Sequence, residues 1–198
     1  WNRALQQTEF SYGIYLRLAR AKQEQGDYTG AAGYLQTYVA NQPADASAHY
    51  QLGLLLTLTD SDHAASEFTL ASQLDVRFDP AVQTLRAALS RASRVDSPSQ
   101  KFVIVGAGLG AVGEWNLARA AFESALQQDD TNAEAWAWLG EAKQQTGADG
   151  SEELNRALSL DRESVNVRAL RALYWSRQGK YEQMLAEYLL AAGIEPEN

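Results

Sequence analysis

Gly108, Gly110 and Gly113 follow the apolar run Phe102-Val103-Ile104-Val105 at the spacing G-x-G-x-x-G. In a dinucleotide-binding fold that pattern ends a strand and opens a helix, whose N–H groups meet a pyrophosphate. Such a site also needs a second parallel strand ending in an acidic residue about 20 positions on. The segment in that place, Leu126-Gln127-Gln128-Asp129-Asp130-Thr131-Asn132, reads as a turn with no strand before it. A dinucleotide-binding domain built on these glycines is therefore the remote alternative. His49 and His63 are the two histidines, and they lack the His-Glu-x-x-His spacing of a zinc helix. Asp130-Thr131-Asn132-Ala133-Glu134 alternates oxygen donors without the glycine and distant glutamate of a calcium loop. There is no cysteine, so thiol catalysis, disulfides and zinc thiolates drop out together. No triad, paired carboxylates or phosphate loop stands in a supporting context. The expectation is a chain that is not an enzyme, with no catalytic residue, cofactor or metal.

Composition points the same way. The chain has 198 residues, 17 Lys and Arg against 25 Asp and Glu, and a net charge of −8. Phosphate binding needs concentrated basic residues, so nucleic acid is not an expected partner. Arg17, Arg20, Arg86, Arg91 and Arg94 are scattered rather than grouped with stacking aromatics. The longest apolar run, Phe102 to Gly113, has 12 residues where a membrane span needs about 20. The absence of cysteine fits any compartment. The chain begins at Trp1, and its natural start, with any signal or anchor, is expected to precede it.

The pattern that organises the sequence is a repeat. Gly113-Glu114-Trp115 is followed by Ala118, Phe122 and Ala125; Gly26-Asp27-Tyr28 by Ala31, Leu35 and Tyr38; Gly179-Lys180-Tyr181 by Met184, Tyr188 and Ala191. Weaker copies run Gly147, Gly150, Leu154, Ala157 and Ala64, Phe68, Ala71. Upstream stand Tyr15/Leu18/Ala19, Leu52/Gly53, Phe102/Val105/Gly106, Trp136/Leu139/Gly140 and Arg168/Arg171/Ala172. Phe102 to Trp136 and Gly113 to Gly147 are each 34 residues apart. That is the period of a helix–turn–helix unit. On these residues the chain resembles a tetratricopeptide repeat protein over nearly its whole length. The resemblance implies an all-α, right-handed superhelix, an αα-solenoid of about five units, acting as a protein–protein interaction scaffold.

The expected organisation is one solenoid domain, 1–198, with repeats at about 12–45, 46–78, 99–132, 133–164 and 165–198. Trp1 to Ser11 extends or caps the first helix. Ala64 and Ala118 are 54 residues apart, twenty more than one period. The extra residues carry an amphipathic inserted helix at about 79–98, with Val82, Leu85, Leu89 and Ala92 on its apolar stripe and Pro80 at its start. Small residues at Ala19, Gly53, Gly106, Gly140 and Ala172 let paired helices approach closely. His49 occupies a first-helix aromatic position and is expected to pack there. Ser47 and Ser151 read as helix caps.

The resemblance also implies where a partner sits, because first helices of such repeats line a concave groove. In that register the wall is Leu16, Arg20, Tyr50, Leu54, Val103, Ala107, Ala137, Glu141, Ala169 and Leu173. Relatives that clamp a terminal carboxylate carry lysine, asparagine and arginine there; this chain has Leu16, Tyr50 and Val103, with Arg20 the one suitable cation. The expected partner is a protein or peptide, held as an apolar segment or amphipathic helix. The alternative is an accessory domain of a larger enzyme or membrane-anchored protein.

The final helix, Tyr181 to Ile194, permits two arrangements. Either Met184, Leu185, Tyr188, Leu189 and Ala192 leave an apolar face exposed, to be covered by self-association or a following segment, or Glu182, Gln183 and Glu187 face solvent while the apolar residues point inward.

Overall fold

The computed structural model describes residues 2–194, with side chains described for 12–193. The described residues form eleven α-helices and one 3-10 turn, with no strand among them. The helices are α1 (Asn2–Glu24), α2 (Tyr28–Asn41), α3 (Ala46–Leu56), α4 (Ser61–Leu74), α5 (Asp79–Ala92), α6 (Pro98–Ala111), α7 (Trp115–Gln128), α8 (Ala133–Gln145), α9 (Ser151–Leu160), α10 (Val165–Arg177) and α11 (Tyr181–Ile194). The 3-10 turn, Val76–Phe78, precedes α5. Two compact units divide the chain, one up to Leu89 and one from Ser90. In the first, α1 pairs with α2, α3 with α4, and α2 packs on α3. In the second, the pairs are α6/α7, α8/α9 and α10/α11, and each second helix packs on the next first helix.

Four of the five pairs turn at a glycine for one reason. Gly26, Gly113, Gly147 and Gly179 have φ of 75°, 87°, 85° and 69°, a left-handed conformation that costs other residues. Each lets the following N–H reach back to a carbonyl of the last helical turn: Asp27 to Lys22, Glu114 to Leu109, Ala148 to Lys143 and Lys180 to Trp175, at 2.8–2.9 Å. The turn between α3 and α4 has no glycine. There Asp60 N–H donates to Leu56 O, and the Asp60 carboxylate caps α4 by accepting from His63 N–H at 3.0 Å. Asp45 rather than Ser47 caps α3, accepting from Ala48 N–H, and α9 starts at Gly150 without a side-chain cap. Ser151 instead hydrogen-bonds to Asp149.

The inserted helix is present as α5, and Val82, Leu85, Leu89 and Ala92 are buried on it. It ends at Ala92, ahead of Ser97, which caps α6, and Pro98, which takes the first position of α6.

The dinucleotide reading is overturned here. Phe102–Val105 lies inside α6, so Gly108 and Gly110 are mid-helix residues and Gly113 is the turn glycine. What holds two of the glycines of α6 in place is packing. A Cβ at Gly106 would stand 2.5 Å from Phe122 Cε1, and one at Gly110 would stand 2.7 Å from Trp115 Cζ3. Gly53 meets Phe68 in the same way at 2.7 Å. Gly140 and Gly150 touch backbone to backbone, since a Cβ on Gly150 would lie 2.0 Å from Gly140 O. That contact brings the start of α9 directly onto α8.

Candidate functional site

In the second unit the first helices lie side by side, α8 touching both α6 and α10. Side chains tie them together along that face. Gln100 Nε2 donates to Glu134 Oε2 and Asn166 Nδ2 to Glu134 Oε1, both at 2.9 Å, so one carboxylate joins three helices. Asn132 Nδ2 donates to Ser99 Oγ at 2.8 Å. Toward the other end, Arg177 forms a two-pronged pair with Glu141, 2.6 Å on each arm, and Gln145 Nε2 adds a third donor at 2.9 Å. The hydrogen bonds to Glu141 hold the Arg177 guanidinium above its ordinary range. These bonds fix the spacing of the helices and leave oriented polar groups beside small side chains.

The ten residues expected on a groove wall fall into two sets. In the first unit Leu16 is half-buried and Arg20 is exposed, paired with Glu24 one turn on at 3.3 Å. Tyr50 is half-buried, stacked on Phe78 at 4.8 Å and packed on Phe68 at 5.9 Å. Leu54 is buried. In the second unit Ala107 and Ala169 are half-buried and Leu173 is exposed. Val103, Ala137 and Glu141 are interior. Val103 packs with Ala125 and Ala135; Ala137 packs with Leu154, Ala157, Val167 and Leu170. Their expectation as contact residues is corrected: Leu54, Val103 and Ala137 are packing positions, and Glu141 is bound by Arg177. In the second unit the physical reason is that the paired second helix and the next first helix both close over these positions, which the register of a single helix does not reveal.

A second set of polar residues was not singled out from the sequence. In the second helices the position just before the large core residue holds Glu67, Glu153 and Glu187, and all three are buried. A buried carboxylate requires hydrogen-bonding or charged partners, and each finds one on its paired first helix. Glu187 is held by Arg168 at 3.1 Å and Arg171 at 2.9 Å. Glu153 accepts from Lys143 at 2.5 Å. Glu67 is held between His49 Nδ1 at 2.5 Å and His63 Nε2 at 3.1 Å. The other nitrogen of His49 faces Pro43 O at 3.1 Å, so the ring stands between two acceptors. His49 and Arg168 share one register position, four residues before Gly53 and Ala172, where Tyr15, Phe102 and Trp136 also stand. The readable signal was an acid inside an apolar stripe: Glu67-Phe68, Glu153-Leu154, Glu187-Tyr188.

Among the described residues no group of three or more His, Cys, Asp or Glu is placed to hold a metal ion. None of their helices is long and apolar enough to cross a membrane.

Paired helices, left-handed glycine turns and a 34-residue step together define a tetratricopeptide-like fold. No protein-family model matches the chain, and no curated protein matches its sequence. Among solved structures it is similar to MamA 41-end from Desulfovibrio magneticus RS-1, with 18% identity and a TM-score of 0.45 over 94% of this chain and 96% of that one. It is also similar to YrrB, described as a TPR protein with an unusual peptide-binding site, with 14% identity and a TM-score of 0.45 over 100% and 93%. Similarity to the APC/C hetero-tetramer Cut9–Hcn1 has 16% identity and a TM-score of 0.45, over 93% of this chain and 40% of that one.

Proposed function

We propose that the chain is a non-catalytic protein-interaction scaffold, and that α6, α8 and α10 of the second unit form the wall that takes a peptide or helix. The observation that carries this reading is the cross-tied face, where Glu134 joins Gln100 to Asn166 and Glu141 joins α8 to Arg177 of α10. A face held rigid before binding loses little conformational freedom when a partner arrives, which favours affinity. Ala107, Ala169 and Leu173 are its accessible apolar positions. Around them Glu134 and Arg177 supply polar contacts of both signs. The occupant is an apolar segment with flanking polar groups, in extended or helical form.

The test is peptide display against the immobilised chain, followed by anisotropy titration of a selected peptide. Leu173→Glu places a charge on the apolar part of the wall and should weaken binding at least about tenfold, equivalent to about 1.4 kcal/mol, with the helical circular-dichroism signal unchanged. Unchanged affinity in Leu173→Glu would remove this wall as the site. Leu54→Glu is not a binding test, because it puts a charge in the interior and reports on stability.

A further inference from the structure

We propose that copies of this chain associate head to tail, the exposed face of α11 in one copy packing on the exposed face of α1 in the next. The template is inside the molecule. At the α7–α8 junction the core residue Phe122 is fully buried and stacks on Trp138 of α8 at 5.9 Å, while Ala135 of α8 packs on Ala125 of α7. Counting from the turn glycines, Tyr188 of α11 stands where Phe122 does, yet it is 47% exposed. It lies in a stripe with Tyr181, Leu185 and Leu189, all exposed and within one helical face. Glu187, bound by Arg168 and Arg171, takes the interior side of α11.

The complementary face lies on α1. In α8 and α10 one register position packs on the preceding second helix, Ala135 on Ala125 and Val167 on Leu154 and Ala157, and its counterpart in α3, Ala48, is buried. In α1 that position is Ile14, and it is 54% exposed. Leu18 and Ala21 continue the stripe one and two turns on and are exposed too. Arg17 takes the place of Trp138. Seated on α11 of another copy, it would lie over Tyr188 where Trp138 lies over Phe122, a cation on an aromatic face. The charges flanking the stripes are opposite in sign, exposed Arg17 on α1 and exposed Glu182 on α11. Because the two faces differ, the contact is head to tail and leaves a free end at each step, so association continues past the dimer unless a ring closes.

Sedimentation velocity of the 198-residue chain over a wide concentration range tests this. The unmodified chain should gain mass continuously beyond a dimer. Ile14→Glu on α1, and separately Tyr188→Glu on α11, should each leave a monomer with unchanged helicity, both positions being solvent-facing. An equimolar mixture of the two variants retains one intact α11 face and one intact α1 face, so it should form a dimer and stop. A monomeric unmodified chain at all concentrations would overturn the proposal. So would association of Ile14→Glu to the same extent as the unmodified chain, which would mean that α11 pairs with itself.

Discussion

The helix pairs α3/α4 and α6/α7 share one contact and differ in what stands beside it. In each, a first-helix glycine receives a phenylalanine from the second helix: Gly53 under Phe68, Gly106 under Phe122. Both rings are fully buried. Next to that contact, α3/α4 buries Glu67 between two histidines, whereas α6/α7 has Phe102 and Ala121 at the equivalent positions. The ring-on-glycine contact is therefore the fixed part of these two pairs. The neighbouring position is exchangeable, provided that a buried acid arrives with its partner.

Removing the shared ring should have the greatest effect on stability. Phe122→Ala or Phe68→Ala should cost about 3–5 kcal/mol, since each deletes a fully buried ring seated over a glycine that cannot fill the gap. Urea denaturation measures this, and a loss below about 1 kcal/mol would mean that the contact is not what holds the pair. The exchangeable part gives the next effect. His49→Phe alone leaves Glu67 with one partner and should cost about 3 kcal/mol, the low end for a broken buried pair. Adding Glu67→Ala installs the α6/α7 solution and should return stability to within about 1 kcal/mol of the original. A double variant no better than the single one would show that the two positions are not coupled.

Glycine substitutions sharpen the same point at smaller scale. Gly106→Ala presses a methyl group into Phe122 and should destabilise by about 1–3 kcal/mol. Gly33, in the middle of α2 and exposed, has open space where a Cβ would go, so Gly33→Ala should stabilise by about 0.5–1 kcal/mol. Equal signs for the two would contradict the packing account. The smallest effect concerns Asp27, whose carboxyl is held below its ordinary range by the hydrogen bond from Lys22 and then by Gly30 N–H. An acid whose folded value is lowered adds stability above its unfolded range and loses it as pH falls through the folded one. Asp27→Ala should therefore melt lower than the unmodified chain at pH 7, and the gap should close as pH drops below the ordinary carboxylate range. A gap independent of pH would assign the effect to helix propensity instead.

Much of the fold could be read from residue types. Gly26, Gly113, Gly147 and Gly179 marked turns because only a residue without a Cβ adopts positive φ cheaply, and all four are turns. The spacing from Ala64 to Ala118 placed an extra helix where α5 lies. The candidate wall was less accessible. Val103 and Ala137 stand at the expected register yet are covered by packed neighbours, a property of tertiary contact rather than of helix period. The buried acids were missed because a glutamate in a second helix looks like a solvated residue until its partner, 10 to 19 residues away in Glu153–Lys143, Glu67–His49 and Glu187–Arg168, is brought beside it. At α11 the arrangement with Glu187 facing solvent, one of the two left open, fails for the same reason.

In the proposed function the first helices of the second unit, rather than its second helices, receive the partner. A nitrogen-15 NMR titration with a display-selected peptide measures this residue by residue. The largest shift changes should fall on α6, α8 and α10, around Ala107, Ala169 and Leu173. Changes confined to α7 and α9 would contradict it.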